Sequence, residues 1–103
     1  MNVSPYIFPG LDSTDRLEHI LRMCCNAAGV EREQAVSDSR LREVILARQL
    51  YFWFARRLTG YRLKEIGALV GLTHSSVVHH LKTARNYLKQ KDREFMKLYN
   101  RIG

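Results

Sequence analysis

The chain has little that would tie it to an oxidising compartment, a membrane or a metal. Its two cysteines, Cys24 and Cys25, are adjacent. Neighbouring residues of a helix do not normally bridge each other, and the pair lacks metal-ligand spacing. Two buried or half-buried thiols in a reducing cytoplasm are expected. No apolar run approaches the roughly 18 residues of a membrane-spanning helix. No charged stretch followed by an apolar one opens the chain, so no secretory signal is visible. The phosphate-cradling pattern G-x-x-x-x-G-K-[ST] is missing, and no nucleotide or other cofactor is expected. Acidic residues are scarce in one part: residues 40–103 hold 4 Asp/Glu against 14 Lys/Arg, a balance of +10. Residues 1–39 hold 6 against 3, a balance of −3, which leaves the net charge at +7. Such an uneven basic chain suits a polyanion partner.

What is present reads as one globular, all-α domain. Of 103 residues, 46% are hydrophobic, enough for a modest core. Residues 1–11 carry Pro5, Pro9 and Gly10, so they cannot form a long helix. With Val3, Tyr6, Ile7 and Phe8 they suit an extended arm packed on the body or on a second chain. Residues 12–103 form the helical domain. A first helix spans Asp12 to Ala28, capped by Ser13 or Thr14. Leu17, Ile20, Leu21 and Cys24 are its buried stripe, with Ala28 beside them, and Gly29 is its stop. One or two turns are expected over residues 31–36. A central helix runs from Ser39 to Leu58, capped by Asp38 or Ser39. Its core candidates are Leu41, Val44, Ile45, Leu50, Tyr51, Phe54, Ala55 and Leu58. Phe52 and Trp53 widen the apolar face; core packing is a better reading of them than a stacking platform for single strands.

The stretch from Thr59 to Tyr87 has a distinct form. Leu63, Ile66 and Val70, with Leu69 alongside, mark one face of a short helix. Gly71 stands where a helix end tolerates positive φ, Leu72 can plug the corner, and Thr73 is a good N-cap. From His74 the apolar seam restarts as Val77, Leu81, Ala84 and Leu88. At about 100° per residue the opposite face carries Ser75, His79, Thr83 and Asn86. Two short helices, a glycine turn and a polar, basic second helix are the form of a helix-turn-helix, here over about residues 63–90. Its hydroxyls, imidazole, amide and cation can donate and accept at base edges in a major groove. Beyond it, residues 91–103 form a C-terminal extension. The helix is expected to run on through Lys91 towards Tyr99, or a further helix to follow. That tail either packs on the first helix or mediates self-association.

Over about Asp38 to Tyr87 the sequence resembles the C-terminal DNA-binding domain of the DnaA family of bacterial replication initiators. The resemblance rests on Ala47-Arg48-Gln49-Leu50, on Ala55-Arg56-Arg57-Leu58-Thr59, on Leu63-Lys64-Glu65-Ile66-Gly67 and Gly71, and on His74-Ser75-Ser76-Val77-Val78-His79. It implies a helical bundle of the DnaA C-terminal, Trp-repressor-like type. It also implies a cytoplasmic, nucleoid-associated protein that binds double-stranded DNA in replication initiation or its regulation. Thr73, His74, Ser75, Ser76 and His79 would then meet base edges, and Arg48 would enter the neighbouring minor groove. Arg62, Lys64, Lys82, Arg56 and Arg57 would meet phosphates. His74 lies nearer the core seam, and its base-reading role rests on the resemblance. The sequence departs from the family pattern here: the turn is one residue shorter, Thr73 stands where an aspartate is usual, and Ser76 lacks a methyl that could touch a thymine methyl. Sequence-specific duplex binding is therefore implied, with the family's standard box left open as the preferred site.

Other readings fare less well. The hydrolase suggested by His74, Ser75, Ser76, His79 and His80 fails because successive helical residues radiate apart. The same histidines lack the i, i+4 spacing of a helical metal pair. A protein-interaction module or transcriptional regulator on the same scaffold is the alternative. Met1 opens a well-formed unit, so a small stand-alone protein is expected alongside a fragment.

Overall fold

The computed structural model describes residues 13–102, with side chains described from Arg16 onward. The arm expected over residues 1–11 and the first helix's cap at Ser13 or Thr14 lie outside those bounds. Six helices and no strand are found among the described residues: α1 (Ser13–Ala28), α2 (Arg32–Ala35), α3 (Arg42–Leu58), α4 (Leu63–Ala68), α5 (His74–Gln90) and α6 (Arg93–Ile102). The all-α expectation holds.

The fold is organised around α3, because that helix is apolar nearly all round. It is packed by α1 along one side and by α5 across another, with α2 and α4 at its flanks. Leu50, Tyr51 and Phe52 are wholly buried on it, as are Ile20 and Leu21 from α1, Ile66 from α4 and Val77 from α5. Burial of one such large side chain stabilises by about 2–3 kcal/mol, so α3 carries much of the core. The Tyr51 hydroxyl finds its acceptor inside, donating to the Ile66 carbonyl at 2.7 Å. That bond fixes α4 to the central helix.

Three expected core residues lie outside it: Leu41, Leu58 and the half-buried Ile45. Leu41 is 56% exposed and Leu58 is 37% exposed. Both stand at the ends of α3; helical spacing assigns a face but not how far the covering neighbours extend. The start of α3 also shifts. Leu41, not Asp38 or Ser39, is the N-cap residue. The serines fold the preceding segment instead: Ser37 Oγ accepts from the Ser39 N–H at 3.1 Å, and Ser39 Oγ from the Leu41 N–H at 3.4 Å.

The C-terminal extension is a separate helix. Lys91 adopts a left-handed conformation, φ 55°. The Lys91 N–H then reaches the Leu88 carbonyl and the Asp92 N–H the Tyr87 carbonyl, which closes α5. Asp92 Oδ1 next accepts from the Phe95 N–H at 3.0 Å and opens α6. Phe95 and Leu98 enter the core, and Arg101 Nη1 donates to the Ala27 carbonyl at 2.8 Å. Packing on the first helix, one of the two fates expected for the tail, is seen.

Candidate nucleic-acid interface

The helix-turn-helix is held by one close approach. Gly67, on α4, sits where an added Cβ would lie 2.6 Å from Val77 Cγ2 and 2.7 Å from the Leu72 carbonyl oxygen. The absence of a side chain lets α5 come this near. The Gly67 carbonyl accepts from the Leu72 N–H at 2.9 Å, and Gly71 turns the chain at φ 73°. Thr73 caps α5 as expected: its Oγ1 accepts from the Ser76 N–H at 3.3 Å. The cap leaves the first turn of α5 pointing outward. His74, Ser75 and His79 are exposed, Thr73 is exposed beside them, and Ser76 is half-buried.

Next to that turn, His80 faces inward. Its ring lies 5.4 Å from Phe52, centroid to centroid, and Nδ1 is buried without a hydrogen-bond partner. Burial lowers its proton affinity, and the neighbouring charges of His79 and Arg48 act in the same direction. His79 is therefore the outward imidazole and His80 the inward one.

Arg48 is placed differently from the expectation. It is only 8% exposed. Its Nε donates to the Ala35 carbonyl at 2.8 Å and Nη1 to the Ser39 carbonyl at 2.8 Å. Nη2 donates to the carbonyls of Gln34 at 3.2 Å and Ser37 at 2.6 Å. Four of the five donors a guanidinium carries are thus taken by main-chain oxygens. The physical reason is the chain before α3: the end of α2 and the loop after it leave carbonyls without helical partners, and Arg48 reaches them from the second turn of α3. Burial lowers the Arg48 pKa from its ordinary value. The exposed cation on this loop is Arg40, close enough for Arg48 to feel its charge.

The expected phosphate contacts fall into two groups. Arg62 and Lys64 are exposed at the start of α4, where the Arg62 N–H donates to Glu65 Oε1 at 3.0 Å. Arg56, Arg57 and Lys82 are exposed further on, along an open groove of about 730 Å³ between α3 and α5. Trp53 and Arg85 also line it. Sequence reasoning passed over both Arg85 and Arg40. Arg85 sits off the polar stripe and joins the groove only where α5 crosses α3, and Arg40 lies outside the helices. Among the described residues no cluster of His, Cys, Asp and Glu is suited to a metal ion, and no helix is long and apolar enough to cross a membrane.

Comparison with known proteins bears on this surface. The family model described as bacterial DnaA protein helix-turn-helix matches residues 17–84. A chromosomal replication initiator protein DnaA of Gloeobacter violaceus is 36% identical over 87 residues, covering 84% of this chain and 20% of that protein. One from Thermodesulfovibrio yellowstonii is 29% identical over 107 aligned positions, covering 99% of this chain and 24% of the relative. One from Oleidesulfovibrio alaskensis is 37% identical over 62 residues, 60% of this chain and 13% of the relative. The chain thus spans less than a quarter of the length of these relatives. No solved structure matches.

Proposed function

We propose, since this chain belongs to the bacterial DnaA helix-turn-helix family, that it binds double-stranded DNA sequence-specifically in replication initiation or its regulation. The observation that carries the reading is the capped, outward first turn of α5, with Thr73, His74, Ser75 and His79 exposed together at the end of a rigidly held helix. A helix N-terminus of this kind fits a major groove, where hydroxyl and imidazole groups can donate to or accept from base edges. Ser76 is half-buried, and the Thr73 hydroxyl is engaged twice with it, donating to Ser76 Oγ and accepting from the Ser76 N–H, so these two are the least available of the set. Lys82, Arg56 and Arg57 on one flank, and Arg62 and Lys64 at the start of α4, supply phosphate contacts. Arg48 contributes indirectly by folding the loop between α2 and α3, and Arg40 is the guanidinium that loop offers to a minor groove. Arginine is favoured there because a narrow A·T groove deepens the negative potential.

The test is an anisotropy titration at fixed moderate salt. It compares a duplex carrying a DnaA-type box, a scrambled duplex and a single strand, for the wild type, His79→Ala and Arg40→Ala. The expected result is tightest binding to the box and a loss of that preference in both variants. Equal affinity for box and scramble would remove the inherited box specificity, and selection from random duplexes would then define the preferred site. Absence of duplex binding would remove the reading and favour an interaction scaffold.

A further inference from the structure

The geometry points to a second DNA contact: the groove between the C-terminal half of α3 and the middle of α5 seats the phosphodiester backbone flanking the base-reading turn, with Arg85 as an added phosphate ligand beside Arg56, Arg57 and Lys82. The inference rests on the proposed duplex binding and extends it along the DNA.

Position carries the first part of the argument. At about 100° per residue, Ser75 and His79 share one face of α5. Lys82 lies just beside them, and Val78 and Arg85 continue around the same side. The groove is therefore continuous with the reading face and meets it at Lys82. A duplex engaged by the first turn of α5 must leave along one flank, and this flank is open.

Charge carries the second part. Arg56, Arg57, Lys82 and Arg85 line the groove, and no acidic side chain does. Four cations around one concavity repel one another, and an anionic strand relieves that repulsion. Guanidinium groups suit it further, since their planar fork matches two phosphate oxygens.

The third part is the state of Arg57. Its guanidinium carbon lies 4.5 Å from the Trp53 ring centroid. Trp53 is half-buried, so one ring surface faces the groove beneath that arginine. A cation–π contact at such a partly exposed place is weak. A phosphate competes with it easily, and drawing Arg57 to the strand changes the surroundings of the indole. Trp53 is the single tryptophan of the chain, so its emission reports on this groove alone.

The experiment uses the full chain with two box-bearing duplexes, of about one and about two helical turns, and a single strand of the longer length. Anisotropy and Trp53 fluorescence are followed for the wild type, Arg85→Gln and Lys97→Gln, the last an equal charge loss at an exposed site on α6. The wild type is expected to bind the longer duplex several-fold more tightly than the shorter, with a change in Trp53 emission. Arg85→Gln should remove most of that advantage and lower the log–log salt slope by about 1, while Lys97→Gln keeps both. Arg85→Gln behaving like Lys97→Gln, or long-duplex binding with unchanged Trp53 emission, would overturn the groove assignment while duplex binding stands. A Trp53 response to the single strand alone would also overturn it. Binding to neither duplex would overturn the assignment together with the reading on which it rests.

Discussion

Arg48 has a guanidinium packed against four main-chain oxygens, and this decides what can be asked of it. Hydrogen bonds from a charged donor contribute about 1.5–3 kcal/mol each, and they do not add simply. Arg48→Ala is expected to lower stability by at least about 2 kcal/mol, measured by urea denaturation. Arg48→Lys should recover little, because one ammonium cannot reproduce a planar fork aimed at four carbonyls. Effects on DNA binding separate direct contact from positioning. If Arg48 works by holding the loop that carries Arg40, then Arg40→Ala and the double variant should bind with nearly equal affinity at a temperature where both are folded. If Arg48 touches DNA itself, the two losses should add.

At the scale of elements, the turn between α4 and α5 sets the interface, and two residues of contrasting kind govern it. Alanine in place of glycine inside a helix would ordinarily gain up to about 1 kcal/mol. At Gly67 the new methyl would meet Val77 and the Leu72 carbonyl at 2.6 and 2.7 Å. Gly67→Ala is therefore expected to destabilise by about 1–3 kcal/mol and to weaken duplex binding by tilting α5. Thr73→Ala removes the cap and should cost about 1 kcal/mol, seen as a lower thermal midpoint. These elements were legible in the sequence because their signals are local. Gly71, Thr73 and the seam through Val77 and Ala84 each follow from a rule about neighbouring residues, and the structure agrees with all of them. The role of Arg48 was not legible, because it depends on carbonyls up to 14 residues away that no spacing rule reveals. The basic groove escaped for a related reason. Arg85 joins Arg57 only after α5 crosses α3, and a wheel drawn for one helix cannot show it.

At the scale of the whole molecule, the acidic first third is joined to the basic remainder. Helix α1 packs along α3, and the short α2 is braced to α1 through Glu18. Arg32 meets that carboxylate with two bonds of 2.6 Å, and Arg22 adds a third at 3.1 Å. The brace steadies α2, whose Gln34 and Ala35 carbonyls are among the acceptors of Arg48, so it also supports the loop that bears Arg40. The Arg32 hydrogen bond holds the Glu18 carboxyl below its ordinary value, against the opposing effect of burial. The sign follows from linkage. A carboxyl whose folded pKa is depressed contributes fully above its unfolded value, near 4.5, and the contribution is lost as pH falls through the lower folded value. Glu18→Gln should therefore lower stability at neutral pH by about 1 kcal/mol, the size of a well-formed but partly screened pair. The gap between variant and wild type should shrink as pH falls below the unfolded value near 4.5. Urea titrations of both chains at neutral and at acid pH check this. A constant gap across that range would mean that the ion pair contributes nothing and that Glu18 matters only through packing.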